Sequence, residues 1–198
     1  MRLGHDLDRL LWRTLSSMSG HDPEIVIEAG ATVAVDALLI GVYRILVESG
    51  AIVHPLSVID STYGPVSIKR GAIICERCML CPQKDATDST GADLLLSLVV
   101  GPDSIIEVGT ILNGSSVGMG CKIGPAARMG AASSVGDGCI VGPMINIPPG
   151  KSVPDSTCLY LDDGGDDGTL RMTKYRFAPH MLKCTVRRYR TNPCSVMS

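Results

Sequence analysis

Between Val117 and Leu159 an aliphatic residue or Met recurs at every sixth position: Val117, Ile123, Met129, Val135, Val141, Ile147, Val153 and Leu159. A period of six fits neither the stripe of a helix nor the alternation of a plain strand. It fits a parallel β-helix, in which three hexads close one triangular coil. In that reading the aliphatic residue fills a corner of a thin interior. The residue four places on packs beside it: Cys121, Ala127, Ser133, Cys139, Ile145, Lys151 or Thr157. Gly follows the aliphatic at Gly118, Gly124, Gly130, Gly136 and Gly142, where the pattern predicts a tight turn at positive φ.

The same period runs upstream. Ile27, Val33 and Leu39 open it, with Ala31 and Ala37 in the small position. It blurs through residues 40–46, as a bulge or insertion would make it, and resumes at Val47, Val53 and Ile59. A turn-rich stretch at 60–66 precedes Ile68, Ile74 and Leu80. A polar excursion at 82–97 then leaves the coil, and Val100, Ile106 and Leu112 restore it, with Ser104, Thr110 and Ser116 expected inside. One five-residue step leads into Val117.

The ends differ. Leu3, Leu7, Leu10, Leu11, Leu15 and Met18 share one helical face before Ser19-Gly20, which predicts an N-terminal helical extension over 1–22. The β-helix is expected over 23–161, and 162–168 reads as an acidic, Gly-rich linker. Residues 169–198 carry Lys and Arg but no Asp or Glu. Pro179 can open a helix there, with Ala178, Leu182, Val186 and Tyr189 as its apolar stripe. The expectation is a basic C-terminal helix packed lengthwise on a coil face.

Composition adds constraints. The 198 residues include one Phe and one Trp, which suits a narrow interior, and the net charge of -2 offers no basic field for nucleic acid. No apolar run approaches a membrane span, and Asp6 and Asp8 oppose a signal or transit peptide. Eight Cys raise the question of disulfides or metal. The register answers it differently: Cys121 and Cys139, one coil apart, should stack inside as free thiols. Cys75, Cys78 and Cys81 resemble a thiolate cluster on paper, but only Cys78 should face inward. Free thiols in this pattern point to a reducing, cytoplasmic compartment.

Candidate chemistry is sparse. Hexapeptide acyltransferases need a His general base, and γ-class carbonic anhydrases need three His on zinc. His5 and His21 precede the coils, His180 lies in the tail, and only His54 falls within the repeat, followed by Pro55. The pattern assigns no catalytic, cofactor or metal residue, with His54 as the lone candidate base. Scaffold subunit, hexapeptide enzyme and unrelated interaction protein all stay open.

Val47-Glu-Ser-Gly-Ala-Ile-Val-His-Pro-Leu-Ser-Val-Ile59 resembles a segment of the dynactin subunit 6 family, a γ-carbonic-anhydrase-like branch of the hexapeptide proteins. The order of features after it is similar too: a loop, hexads, the excursion, Val100-Gly101, Ile106-Glu-Val-Gly109, the five-residue step, and the tail from Tyr175 to Arg190. Ile40-Gly-Val-Tyr-Arg-Ile45 departs from that family's pattern. The resemblance implies a left-handed parallel β-helix with a C-terminal helix along it. It implies a non-catalytic subunit of the dynactin pointed-end complex, without cofactor, supporting dynein-driven cargo transport on microtubules. The implied partners are dynactin subunit 5, subunit 4 and an actin-related protein, and the implied location is cytoplasm and cytoskeleton.

Overall fold

Each hexad supplies a two- to five-residue strand and a turn, and three hexads return the chain above its own start. The computed structural model describes residues 24–83, 96–161 and 170–174. The first coil carries β1 (Ile25–Ile27), β2 (Thr32–Val33) and β3 (Leu38–Gly41). The second carries β4 (Ile45–Val47), β5 (Ile52–Val53) and β6 (Val58–Ser61), and the third β7 (Val66–Ile68), β8 (Ile73–Ile74) and β9 (Met79–Leu80). The fourth has β10 (Leu98–Val100), β11 (Ile105–Ile106) and β12 (Ile111–Leu112), and the fifth β13 (Ser116–Val117), β14 (Lys122–Ile123) and β15 (Arg128–Met129). The sixth has β16 (Ser134–Val135), β17 (Ile140–Val141) and β18 (Asn146–Ile147). A last partial coil, β19 (Ser152–Val153) and β20 (Thr157–Leu161), is followed by β21 (Leu170–Lys174).

The coils stack into three sheets. β1-β4-β7-β10-β13-β16-β19 form the first, β2-β5-β8-β11-β14-β17-β20-β21 the second, and β3-β6-β9-β12-β15-β18 the third. Neighbours within a sheet are parallel except β20 and β21, which pair antiparallel from Thr157↔Lys174 to Leu161↔Leu170. That closing strand is invisible to the hexad pattern, because it follows the linker and runs backwards. Among the described residues no helix is long and apolar enough to cross a membrane. The helices expected over 1–22 and after Pro179 lie outside the described residues, as does most of the 82–97 excursion.

The interior is the aliphatic column that the period predicts. Val47, Val53, Ile59, Ile68, Ile74, Leu80, Val100, Ile106, Leu112 and the whole series from Val117 to Leu159 are buried in one cluster. Beside them the small position takes hydroxyls and thiols because each can donate to a nearby carbonyl. Ser104 Oγ reaches Gly118 O at 2.7 Å, Thr110 Oγ1 reaches Gly124 O at 3.0 Å, and Cys121 Sγ reaches Gly136 O at 2.9 Å. Cys121 and Cys139 are free and buried on neighbouring coils, as the register requires. The Cys121 thiol is pushed up by its hydrogen bond with Cys139 and by burial. Two expectations need correction. The five-residue step places Ser115, not Ser116, in the inward slot: Ser115 is buried and Ser116 is exposed.

The second correction concerns glycine. Gly118, Gly124, Gly130, Gly136 and Gly142 are absent from the positive-φ positions, which fall later in the turn at Gly120 (φ 63) and Gly138 (φ 63), for example. The earlier glycines are needed for close approach. A Cβ on Gly124 would sit 2.7 Å from the carbonyl carbon of Gly142, and one on Gly130 would sit 2.5 Å from Pro149 N. The left-handed position itself is often not Gly: Leu56, Arg77, Asp103, Ala126, Met144 and Ser156 all hold φ between 54° and 61°.

Candidate functional site

Titratable side chains line the corner between the second and third sheets. Val53, Ile74 and Ile106 face inward and pair in register across β5, β8 and β11. Alternation turns the next residue of each strand outward. Those residues are His54, Cys75 and Glu107, stacked on successive coils about 4.8 Å apart. Backbone ladders fix them: His54 N–H donates to Ile74 O at 2.9 Å, Cys75 N–H to Ile106 O at 2.8 Å, and Glu107 N–H to Ile123 O at 2.9 Å. On the fifth coil Lys122 Nζ pairs with Glu107 Oε1 at 3.1 Å.

Beside this column runs an apolar one. Ile73 and Ile105 point outward from β8 and β11, yet both are fully buried, and with Cys75 and the half-buried Ile52 they form a cluster separate from the interior. Burial, with the Cys78 and Glu107 charges behind it, pushes the Cys75 thiol up to about 12. Cys75 is therefore a thiol at neutral pH and not a nucleophile. Cys78 and Cys81 are pushed up to about 11, both chiefly by burial. Cys78 faces inward and Cys81 lies at the next corner, so the three thiols do not converge.

His54 stands out. Its Nε2 is buried and has no hydrogen-bond partner among the described residues. Buried polar atoms are nearly always paired, so an imidazole nitrogen with no partner among the described residues has hydrogen-bonding capacity left. Asn113 Oδ1 and Ser115 Oγ share that condition. They belong to the corner between the third and first sheets, where the excursion leaves after Gln83 and returns at Leu96, so the fold does not bring them to His54. His5, His21 and His180 lie outside the described residues. Sequence reasoning singled out His54 but missed Cys75, Glu107 and Lys122 as its company. The signal was present: His, Cys and Glu each follow one of the inward aliphatics at 53, 74 and 106.

No protein-family model matches the chain, and no curated protein sequence does. Solved structures do. A Bacillus cereus protein described as a "putative acetyltransferase" is 15% identical, covers 84% of this chain and 87% of its own, and superposes with a TM-score of 0.67. A hexapeptide transferase family protein from Anaplasma phagocytophilum is also 15% identical, covers 87% and 95%, and gives 0.58. PerB from Caulobacter crescentus, solved with CoA and GDP-perosamine, is 22% identical over 84% and 65%, with 0.49.

These neighbours correct two expectations. The reading as a non-catalytic dynactin subunit, and with it the absence of enzyme activity, gives way, because the neighbours are described as transferases and nothing identifies the dynactin subunit 6 family. The physical reason lies in the motif. Residues 47–59 are the end of β4, all of β5 and the start of β6, so coil geometry alone accounts for them. The partners implied by the resemblance depended on that reading. The chain has the left-handed parallel β-helix fold of hexapeptide-repeat proteins, all-β through its described residues.

Proposed function

We propose that the chain is an acyltransferase of the left-handed β-helix class, with His54 as general base. The observation that carries this is the buried, unpartnered Nε2 of His54 on an outward corner column, in a fold shared with proteins described as transferases. His54 Nε2 accepts the proton of an acceptor hydroxyl or amine as that atom attacks the acyl carbonyl. A bond forms from the acceptor atom to the acyl carbon, the bond to the donor's leaving thiolate breaks, and the imidazolium returns its proton to that thiolate. Shielding from bulk water leaves the base without a competing donor. Glu107 and Lys122 form an ion pair beside it.

The C-terminal stripe of Ala178, Leu182, Val186 and Tyr189 belongs to the same proposal. We place it on the outer face of the second sheet, where Ile73 and Ile105 point outward and are nonetheless buried. That placement puts the basic tail beside His54.

The test is turnover of acetyl-CoA, read as thiol release, against a panel of amino-sugar and hydroxyl acceptors. Wild type should turn over at least one acceptor. His54→Asn should lower kcat by about 10²–10⁴-fold with KM nearly unchanged, the span of a general base. Equal kcat in the two proteins would remove His54 from the mechanism, and no transfer to any acceptor would defeat the reading.

A further inference from the structure

The first coil is open where every later coil is closed. Ile25 and Ile27 pair in register with Ile45 and Val47, so their side chains face the interior. Ile45 and Val47 are 0% exposed, but Ile25 and Ile27 are 42% and 48% exposed. Val33 and Leu39, the other inward aliphatics of that coil, are only partly buried. β1, β2 and β3 each end their sheet, so among the described residues one backbone edge of each lacks a strand neighbour. An apolar end face ringed by open strand edges is a surface that proteins cover.

We infer that the end face is a docking surface for this chain's own residues 3–18, which cap it with their apolar stripe. Three observations select that occupant over a second copy. The segment enters the first coil directly, because Glu24 adjoins β1. Its stripe of Leu3, Leu7, Leu10, Leu11, Leu15 and Met18 needs a partner of the kind the end face provides. As a helix its sixteen residues span about 24 Å, against about 20 Å for a six-residue side of the coil triangle. Residues 19–23 reach about 17 Å when extended, enough to fold the segment back over the end. The tether keeps the stripe at an effective concentration of roughly millimolar, which a free second copy reaches only in concentrated solution.

This inference stands apart from the acyl-transfer reading. The test is hydrogen–deuterium exchange on the full chain, wild type against Leu7→Asp/Leu11→Asp, with light scattering on both. These substitutions lie outside the coils, so the coils keep their own contacts. The expected result is a variant whose amides at 25–39 exchange about tenfold or more faster than in wild type, while those at 116–147 and the state of association do not change. Unchanged exchange at 25–39 would overturn the inference. So would faster exchange through all coils alike, which would make the segment a requirement of the whole fold. A wild-type dimer whose first coil loses protection on dilution would assign the end face to a second copy instead.

Discussion

The turn from Gly124 to Ala127 separates two reasons for small residues in a β-helix, and two substitutions there should act in opposite directions. In Gly124→Ala the new Cβ lies 2.7 Å from Gly142 C and 2.8 Å from both Pro143 N and Val141 O. All three are backbone atoms of the next coil, and relief requires opening the coil spacing by several tenths of an ångström. The ladder resists this: Gly124 N–H donates to Val141 O at 2.8 Å and Met144 N–H to Pro125 O at 2.9 Å. The cost should approach the upper end for overpacking, about 3 kcal/mol. Ala126, two residues on, holds φ 55. Removing its Cβ relieves about 1 kcal/mol of left-handed strain, offset by about 0.5 kcal/mol of added freedom in the unfolded chain. Ala126→Gly should therefore be neutral or slightly stabilising. Urea unfolding followed by far-ultraviolet circular dichroism reads both. At a slope of about 2 kcal/mol/M, Gly124→Ala lowers the midpoint by about 1.5 M, and Ala126→Gly leaves it level or raises it slightly. Equal losses from the two variants would refute the distinction between close approach and positive φ.

Four further outcomes follow from the packing, the titrating groups and the tail. Ile106→Ala, at a fully buried inward corner, should cost about 2–5 kcal/mol in the same unfolding assay, whereas Val35→Ala on the exposed surface should cost under about 0.5 kcal/mol. Glu48 accepts hydrogen bonds from Lys69 Nζ at 2.7 Å and Arg70 N at 3.0 Å, and the Lys69 bond first of all holds its carboxyl below the usual carboxylate range. A lowered folded value gives stability that is present above the ordinary pKa of 4.5 and lost as pH falls through the folded one. Glu48→Gln should thus cost about 0.5–1 kcal/mol at pH 7, with the difference closing in acid below the carboxylate range. Brief treatment of the native chain with iodoacetamide, mapped by mass spectrometry, should spare Cys75, Cys78, Cys121 and Cys139 and label the half-buried Cys158 first among the described thiols. If the tail covers the second sheet as proposed, deleting residues 175–198 should make Cys75 reactive, and an unreactive Cys75 in that truncation would count against that placement.

The interior was legible because burial in a β-helix depends on a residue's place in the repeat, and the repeat is written in the sequence. Val53, Ile74 and Ile106 could be assigned inward from spacing alone, despite the excursion between the last two. What spacing does not encode is the contact between coils. The glycines after each aliphatic looked like positive-φ glycines because Gly satisfies both demands. Only the approach of Gly142 to Gly124 shows which demand operates there. The openness of Ile25 and Ile27 was equally hidden, since the first coil carries the same aliphatics as the interior ones and differs only in lacking a neighbour. Likewise the His54, Cys75 and Glu107 column has irregular sequence separations, and the coils alone bring it together. The resemblance to the dynactin subunit 6 family holds only at the level of the hexapeptide-repeat β-helix, because its segment 47–59 carries coil geometry and nothing finer.

If His54 serves as the base, its Nε2 lies beside the acyl carbon, and an affinity label reads that position. Bromoacetyl-CoA places an electrophilic carbon next to the carbonyl of a transferable acyl group. The expected result is alkylation of His54, found by peptide mapping, which acetyl-CoA in excess suppresses and which leaves Cys75 unmodified. Labelling confined to other residues, with His54 untouched and acetyl-CoA without effect, would contradict it.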